Sequence, residues 1–402
     1  MKRRDFHKMA LTVGAWGAAN INVLGANDRI RVAVLGCGVR GTDHIEDIVR
    51  SNYPGVEIHT VCDVWEPALK RAVRNAMGNG RTAPKTTMHY AEVLDDADVD
   101  AVVIATPDFG HAKILKEAVE AGKDAYCEKP MAVVLKEGLD AVKAVRKQKR
   151  VVQVGTQYRS DPQHVGCAEV IHSGVLGKIC RVSISQNFME PRWRKDTGDV
   201  QEADIDWNQF QLHHKKRPFD PKRFRRWYLY RDYTNGLPGL WMSHYYNLVA
   251  WYMRDLYPED CVALRNVFLW GDDGRETCDT LGAILHYPSG FQLDFTMSLC
   301  NSADTHCIFY GTNGKLDFWN HTISGDGGDG PSRIAEERVI PPAKVPSSHM
   351  GNFLQCIRTR EDPVTPVEMG LAHSVAGIMT AESANTGSCM RFNAETLKMT
   401  RA

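Results

Sequence analysis

An apolar strand that runs straight into three spaced glycines, IRVAVLGCGVRG at 30–41, restricts the fold of this chain more than any other feature. Apolar residues fill most of the first six places, which is typical of a buried parallel strand rather than an amphipathic helix. Gly36, Gly38 and Gly41 then follow the G-x-G-x-x-G spacing, which suits a tight turn, a close approach to a pyrophosphate and a closely packed helix. The free N–H groups of that helix would face the anion. The stretch therefore predicts a dinucleotide-binding unit.

An acid at the end of the second predicted strand indicates which dinucleotide binds. Asp63 follows the strand at 56–61 and lies about 20 residues beyond the last glycine, where a carboxylate can accept hydrogen bonds from adenosine ribose hydroxyls. An acid there repels a 2′-phosphate, so the sequence favours NAD over NADP. The alternative is that Asp63 is an ordinary strand-end residue.

Strands and helices alternate as far as residue 155. The predicted strands at 101–105, 125–127 and 151–154 alternate with predicted helices at 65–77, 90–94, 111–121 and 135–146. This order predicts a parallel, doubly wound sheet with its ligand at the carboxyl ends of the strands.

Beyond residue 155 the pattern changes to strands joined by hairpin turns. Strands are predicted at 179–185, 262–270, 280–287, 292–298 and 306–310, and helices at 350–357 and 368–385. The predicted fold class is therefore an α/β Rossmann doubly wound domain plus an α+β domain with a large, mostly antiparallel open sheet. We predict an export signal and its junction at 1–28, an NAD-binding Rossmann domain at 29–155, an α+β substrate and oligomerisation domain at 156–345, and a C-terminal helical segment packing back on the core at 346–402.

A long aromatic and basic segment, Asn187 to Arg254, separates the first two strands of the second domain. A connection of that length in a compact domain is usually a binding insertion. Its tryptophans and tyrosines suit a sugar ring, and the alternative is that they only pack in the core.

Length, charge and cysteine content exclude several classes of protein. At 402 residues the chain is too long for one ordinary core, which predicts two domains. Lys plus Arg and Asp plus Glu are both 49, so the total charge gives no sign of nucleic-acid binding. The eleven cysteines are far apart without a C-x-x-C pair, so we expect neither a disulfide framework nor a metal site. No apolar run reaches the length of a bilayer span.

The first residues of the chain have the pattern of a targeting signal. Arg3 and Arg4 precede a modest apolar segment, and Arg3 to Phe6 resembles a twin-arginine export signal. Because that route carries folded proteins, we expect a periplasmic or extracytoplasmic protein that acquires its cofactor before export and does not insert in the membrane. The alternative is a basic N-terminus on a cytoplasmic protein.

Five motifs in sequence order, GCGVRG, ATPDFGH, CEKP, VGTQYRS and GNFLQCIRTRE, resemble the Gfo/Idh/MocA family of glucose-fructose oxidoreductase and inositol dehydrogenase. They extend over nearly the whole chain after residue 28. The resemblance implies an NAD-dependent oxidoreductase that acts on a hydroxyl of a sugar, cyclitol or glycoside. It also implies a homo-oligomer formed through the sheet of the second domain.

The resemblance assigns the chemistry to two residues. Lys129 of E-K-P would lie beside the nicotinamide and the substrate hydroxyl, and His244 would be the general acid and base. Removing a hydride from a carbinol leaves a proton to be taken, which suits histidine, while a lysine can stabilise the alkoxide. Alternatively, His244 is a histidine satisfied within an aromatic core.

The same resemblance implies the surrounding contacts. Cofactor contacts are implied for Arg40, Thr106, Pro107, His111, Glu128 and Pro130, and substrate contacts for Tyr158, Arg159, Trp241 and Tyr245. The isomer of the Pro130 peptide bond is left open by the sequence.

The chain departs from the family pattern near His244. Many members carry an acid four residues before the histidine and another three after it, where this chain has Leu240 and Asn247. Leucine cannot orient an imidazole, so Tyr158, Tyr245 or a carboxylate of the long insertion would have to do so. Two other functions therefore stay open: an NAD-dependent glycosidase that oxidises its substrate transiently, and a non-catalytic sugar-binding protein with structural NAD.

Overall fold

The computed structural model describes residues 29–189, 196–345 and 347–402. The predicted export signal at 1–28, with Arg3 and Arg4, lies outside the described residues, as does part of the long insertion.

A six-stranded parallel sheet forms the first domain, in the strand order β3-β2-β1-β4-β5-β6. Its strands are β1 Ile30–Leu35, β2 Val56–Cys62, β3 Lys85–Thr87, β4 Ala101–Ile104, β5 Asp124–Cys127 and β6 Val152–Val154. Its helices are α1 Val39–Ser51, α2 Glu66–Ala76, α3 Tyr90–Asp95, α4 His111–Glu120 and α5 Leu135–Gln148. The predicted Rossmann sheet is confirmed.

Strand β1 shows why this sheet is buried on both sides. Val32 and Val34 belong to one apolar core and Ala33 and Leu35 to another, because successive side chains of a strand point to opposite faces. Both cores need apolar residues, so the strand is a nearly continuous apolar run.

A ten-stranded sheet forms the second domain, in the order β14-β13-β12-β11-β7-β10-β9-β8-β15-β16. Strands β7 and β10 pair in parallel and the other neighbours are antiparallel, so the predicted mostly antiparallel sheet is confirmed. Its strands are β7 Ile179–Asn187, β8 Asp260–Asn266, β9 Thr280–Tyr287, β10 Phe291–Ser298, β11 His306–Gly311, β12 Gly314–Asp317, β13 Thr322–Ser324, β14 Arg338–Val339, β15 Met390–Asn393 and β16 Lys398–Arg401. The remaining helices are α6 Pro162–His172, α7 Trp207–Gln211, α8 Pro221–Arg225, α9 Ser243–Tyr252, α10 His349–Thr359 and α11 Val367–Thr386.

Two parts of the second domain differ from the sequence prediction. Strand β8 ends at Asn266 rather than at 270, because the buried Asp279 carboxylate accepts hydrogen bonds from the N–H groups of 268–270 and turns the chain. The predicted C-terminal helical segment also ends in strands β15 and β16, which form a hairpin at one edge of the sheet. Their apolar alternation is too short to be recognised in the sequence.

The long insertion joins the two domains at the carboxyl ends of the parallel strands. Ile205 forms an antiparallel bridge with Trp65 just after β2, and Phe210 packs against Phe109 just after β4 with ring centroids 5.8 Å apart. Helix α11 contributes a second connection, since the N–H of Met131 donates to His373 Nε2 at 3.1 Å. The candidate site therefore lies where both domains meet.

The cysteines are free, and most are buried as small apolar side chains. Among the described residues, no helix combines the length and the apolar character that crossing a membrane requires.

Candidate active site

The glycine loop leaves an open space over the start of α1. A Cβ on Gly38 would meet no atom within 4 Å, whereas a Cβ on Gly41 would lie 1.8 Å from the carbonyl oxygen of Gly36. Gly41 therefore allows α1 to pack closely on β1, and Gly38 keeps the space above the loop free. Gly36 has a φ of +87°, which favours glycine.

The first turn of α1 can receive an anion. No side chain caps this helix, and its first turn contains no acidic residue. Because the first N–H groups of a helix have no partner within it, they can donate to a negatively charged group above Gly38.

The carboxylate of Asp63 holds the glycine loop in place. Its Oδ2 accepts the N–H of Cys37 at 2.6 Å, and its Oδ1 accepts the N–H of Trp65 at 2.9 Å. Burial raises the pKa of Asp63, while these N–H groups and the charge of Arg71 oppose the rise. Each carboxylate oxygen has a second lone pair, so contact with ribose hydroxyls stays a prediction beside this observed role.

The loop after β4 lies next to the glycine loop. Thr106 Oγ1 is buried and has no hydrogen-bond partner among the described residues. Both ring nitrogens of His111 contact backbone carbonyl oxygens, Thr106 O and Pro130 O, each at 2.8 Å. His111 thus fixes this loop to the E-K-P loop rather than presenting a nitrogen to a ligand, and the partly buried Pro107 follows Thr106 at the start of the turn.

Glu128 is buried within a network of donors that joins α1 to the E-K-P loop. Its Oε1 accepts Arg40 Nε at 2.7 Å and lies 2.8 Å from His44 Nε2. Burial alone would raise the pKa of Glu128, but the hydrogen bond from His44 and the charge of Arg40 hold it well below its usual range. Arg40 therefore reaches across the ends of the strands from β1 to β5.

Lys129 extends from the same loop toward the second domain. Its Nζ donates a 2.5 Å hydrogen bond to the carbonyl oxygen of Leu240, and its peptide bond to Pro130 is cis. Burial lowers the pKa of Lys129, while the charges of Asp108 and Glu128 oppose the fall. A partly enclosed cation in this position can stabilise an anion that forms beside it.

His244 lies one helical turn beyond Leu240. Pro238–Met242 form a π-helical turn leading into α9, a feature that is frequent at functional sites. His244 Nδ1 is buried and has no hydrogen-bond partner within the part of the chain that the structure describes. Burial, then the charge of Lys129, lowers the pKa of His244 well below its ordinary value, so the ring is neutral near pH 7 and able to accept a proton.

Leu240 and Asn247, the two positions where the resemblance implied acids, carry uncharged side chains. The Leu240 side chain packs against the apolar core, and Asn247 Nδ2 donates to Met369 O at 3.1 Å. Tyr158 contacts the His244 ring with centroids 5.6 Å apart, whereas the hydroxyl of Tyr245 is bonded to Gln186. Of the two tyrosines suggested by the sequence, Tyr158 is therefore the one at the histidine.

The remaining substrate candidates are separated by the fold. The Trp241 ring packs on Phe188 with centroids 4.8 Å apart, next to the start of α9. Arg159 points elsewhere: its Nε donates to Val364 O at 2.6 Å and its guanidinium lies 4.8 Å from the centroid of Trp251. Substrate contact by Arg159 stays a prediction.

The structure adds residues that sequence reasoning missed. Asp108 is 4% exposed and its Oδ2 accepts the hydroxyl of Thr234 at 2.7 Å, beside Lys129. His373 is fully buried, and burial together with the Lys129 charge lowers its pKa to about 3. Asp108 lies within the ATPDFGH motif and could have been found there, but His373 lies in an apolar helix that gives no such signal.

The site fits a bound dinucleotide on three observations. The space above Gly38 is open, the start of α1 is uncapped, and the Thr106 hydroxyl lies buried at the same edge without a partner among the described residues. Lys129 and His244 stand where the parallel strands end, which is where such folds hold their ligands.

One side-chain cluster elsewhere in the described chain has the composition of a metal site. His59, Asp96 and Asp98 bring ligand atoms within 4.8 Å of one another. Asp96 is already bonded to Lys85 at 2.9 Å and Asp98 to Arg31, so the two carboxylate charges are compensated by the protein.

Comparison with protein families gives matches in both domains. Residues 30–156 match the family described as "Oxidoreductase family, NAD-binding Rossmann fold", and residues 193–317 match the "GFO/IDH/MocA C-terminal domain". Together the two matches cover well over half of the chain. The first domain is thus an NAD-binding Rossmann domain, as the sequence predicted.

Individual relatives agree with this result. Inositol 2-dehydrogenase 4 of Saccharopolyspora erythraea is 37% identical over 154 residues, covering 38% of this chain and 44% of that protein. A glycosyl hydrolase family 109 protein of Shewanella baltica is 28% identical over 171 residues, covering 42% of this chain and 37% of that protein. The chain thus spans about half the length, or less, of the curated relatives it matches.

Among solved structures, the fold is shared with the WlbA dehydrogenase of Bordetella pertussis, determined in complex with NADH and UDP-GlcNAcA. The TM-score is 0.68 at 20% identity, over 91% of this chain and 99% of that one.

Proposed function

We propose, because this chain belongs to the Gfo/Idh/MocA oxidoreductase family, that it is an NAD-dependent oxidoreductase acting on a secondary hydroxyl of a sugar, cyclitol or glycoside. The observation that carries the proposal is the hydrogen bond from Lys129 Nζ to Leu240 O, one helical turn before His244. It brings a partly buried cation and a neutral imidazole together at the carboxyl ends of the parallel strands.

The chemistry divides between the cofactor and these side chains. NAD, when bound, supplies the hydride acceptor. The Lys129 ammonium, turning from Leu240 O to the substrate oxygen, stabilises the negative charge that develops as the C–H bond breaks. His244 takes the hydroxyl proton, and because Nδ1 is enclosed, Nε2 is the nitrogen left to meet the substrate.

The polar-substrate assignment is supported by what surrounds this pair. Tyr158 contacts the His244 ring and Trp241 lies one turn before it, so aromatic faces adjoin the proton-transfer residue. Such faces pack on the C–H side of a sugar or cyclitol ring, while the hydroxyls are left for Lys129 and His244. The inositol dehydrogenase relative supports the same substrate class.

A glycosidase is the second candidate, supported by the glycosyl hydrolase family 109 relative. In that case the same two residues would serve a transient oxidation, and the cofactor would be regenerated within each cycle. Position 240 carries leucine instead of the acid that the family resemblance implies, which also favours a reaction other than ordinary dehydrogenation.

The test uses the purified full chain with a panel of polyols, aldoses and glycosides. Absorbance at 340 nm that rises with substrate indicates net oxidation, whereas release of the aglycone without net NADH indicates the glycosidase. Lys129→Ala and His244→Ala should abolish either signal while retaining NAD binding. Bound NAD with neither signal on any substrate would contradict an enzymatic role and favour the sugar-binding alternative.

A homo-oligomer formed through the second sheet is a further part of the proposal. Val262, Leu264 and Ile284 project from neighbouring strands β8 and β9, and the Leu264 side chain is 74% exposed. A second copy of this face would cover the apolar patch. Leu264→Lys should reduce the mass measured by light scattering to that of a smaller assembly, and a wild-type monomer would contradict this part.

A further inference from the structure

Asp108 and Thr234 form a buried hydrogen bond between the two domains. Asp108 lies in the loop after β4 and Thr234 in the second half of the long insertion, and these residues are 4% and 2% exposed. The Thr234 hydroxyl donates to Asp108 Oδ2 at 2.7 Å and accepts the N–H of Gly236 at 3.0 Å. One hydroxyl therefore connects the carboxylate to the turn that precedes the π-helical segment.

That turn determines where Leu240 presents its carbonyl group. The carbonyl oxygen of Gly236 accepts the N–H of Leu240 at 2.9 Å, and Leu240 O accepts Lys129 Nζ at 2.5 Å. Asn235 supports the same turn, because its Nδ2 donates to Val133 O at 3.1 Å. The contacts run from Asp108 to Lys129 through the second domain.

Asp108 also influences Lys129 through its charge, without the intervening contacts. The Asp108 charge opposes the fall in the pKa of Lys129 that burial causes. Burial raises the pKa of Asp108 itself, while the charges of His111 and Lys129 and the hydrogen bond from Thr234 oppose that rise and favour the charged carboxylate. Gly239 makes room for this arrangement, since a Cβ there would lie 3.4 Å from Asp108 Oδ2 and 3.3 Å from Pro130 Cγ. The carboxylate thus lies under the loop that carries Lys129.

We propose that Asp108 is a positioning residue for Lys129: its carboxylate places a negative charge near the ammonium, and its hydrogen bond to Thr234 places the Leu240 carbonyl that orients the ammonium. This inference rests on the role proposed for Lys129 above. On this proposal, Asp108 of the first domain supplies the negative charge that the side chain of Leu240 cannot supply.

Other charged or titratable groups also face Lys129 and must be considered. They come from α1, the E-K-P loop, α9 and α11, and they are Arg40, Glu128, His244 and His373, while His111 of α4 faces Asp108. Glu128 opposes the effect of burial as Asp108 does, but Glu128 is already bonded to Arg40 and His44. Unlike Glu128, Asp108 has a neutral hydroxyl, that of Thr234, as its side-chain hydrogen-bond donor.

The experiment measures the protonation of Lys129 directly, in the purified full chain without added substrate. Acetic anhydride reacts with unprotonated amines, so the extent of Lys129 acetylation against pH, read by peptide mass spectrometry, gives its midpoint. Asp108→Asn keeps an acceptor for Thr234 but removes the charge, and should lower the midpoint by about one pH unit. An unchanged midpoint would overturn the charge role.

Two variants separate the hydrogen bond from the charge. Thr234→Val keeps the shape and the Asp108 charge but removes the hydroxyl, and should increase the rate of Lys129 acetylation several-fold because Leu240 O is no longer held. Thr234→Ser restores the hydroxyl and should restore the wild-type rate. Equal rates in the Val and wild-type proteins would overturn the positioning role.

An internal control is read in the same spectra. Lys123 is bonded to the carbonyl oxygens of Asp96 and Val99 at 2.7 and 2.9 Å, away from this site, and its acetylation should not change in any variant. If Lys123 became reactive together with Lys129, the effect would be general loosening and the proposal would be wrong. Because no turnover is needed, these outcomes are independent of whether the proposed activity is found.

Discussion

The Lys129 ammonium donates to the backbone carbonyl of Leu240, 111 residues further along the chain. The side chain of Leu240 is apolar, yet its backbone supplies a polar partner. A backbone carbonyl holds the cation without neutralising it, so Lys129 keeps its charge for an anion that develops in the substrate.

Gly38→Ala and Gly41→Ala should separate cofactor binding from folding. Without nucleotide, Gly41→Ala should lower the free energy of unfolding by more than ~2 kcal/mol, because its Cβ would lie 1.8 Å from Gly36 O. Gly38→Ala should keep the wild-type stability but weaken NAD binding about tenfold or more, since its Cβ points into the open space over α1. Thermal melts and calorimetric titration with NAD measure both, and unchanged NAD affinity in Gly38→Ala would contradict the assigned cofactor position.

Asp63→Ala should weaken NAD binding by about 1–3 kcal/mol, because the glycine loop is no longer held by the bond to Cys37 N–H and the ribose hydroxyls lose an acceptor. If Asp63 also binds the ribose, NAD should lose more affinity than NADP. Titrations of both dinucleotides test this, and equal affinity of the wild type for the two would count against the NAD preference.

In the pH profile of turnover, His244 should determine the acid limb and Lys129 the basic limb. Burial lowers the pKa of both groups. As the pH decreases, activity should be lost only well below pH 6.5, where His244 becomes protonated. As the pH increases, the loss of activity should begin before pH 10.5 is reached, because Lys129 loses its proton earlier than a free lysine. Leu240→Asp places an acid one turn before His244, which should raise the pKa of the histidine and move the acid limb to higher pH.

The test compares the pH profiles of the wild type and Leu240→Asp, together with the activity of His244→Ala. An unchanged acid limb in Leu240→Asp, together with full activity in His244→Ala, would show that His244 is structural. Leu240→Asn is the matched control, because it adds polarity without charge and should leave the acid limb where it is.

His349 should make the fold sensitive to acid. It is buried and neutral, accepting from Ser160 Oγ at Nδ1 and donating from Nε2 to Val154 O, and burial lowers its pKa to about 4. Between pH 6.5 and 4 the histidine binds a proton in the unfolded chain but not in the folded protein. The free energy of unfolding therefore decreases as the pH is lowered through this window, by about 3 kcal/mol in total. Denaturant unfolding against pH should show a shallower slope in His349→Gln, while His286→Gln, at a largely exposed site, should follow the wild type.

Export is tested with the arginine pair. Arg3→Lys combined with Arg4→Lys keeps the charge but removes the twin-arginine pattern, and should retain the protein in the cytoplasm. Fractionation followed by immunoblotting measures this, and a wild-type protein confined to the cytoplasm would contradict the proposed location.

The sequence by itself determined the first domain and its cofactor loop. Buried parallel strands and glycine turns are local patterns, so 30–41 and Asp63 could be read without knowing what lies across the fold. The role of Lys129 came from the E-K-P motif through the family resemblance and stays a prediction. The predicted end of β8 was wrong, because the Asp279 carboxylate ends the strand through contacts that no periodicity contains. The short C-terminal hairpin was not predicted.

Only the tertiary structure decided what surrounds Lys129. Leu240 O, Asp108 and His373 come from three separate parts of the chain, and Leu240 and His373 come near the lysine through packing between the domains. The same packing turned Arg159 toward Val364. The physical reason is that periodicity records whether a side chain is buried, whereas the partner it meets depends on how whole elements fit together.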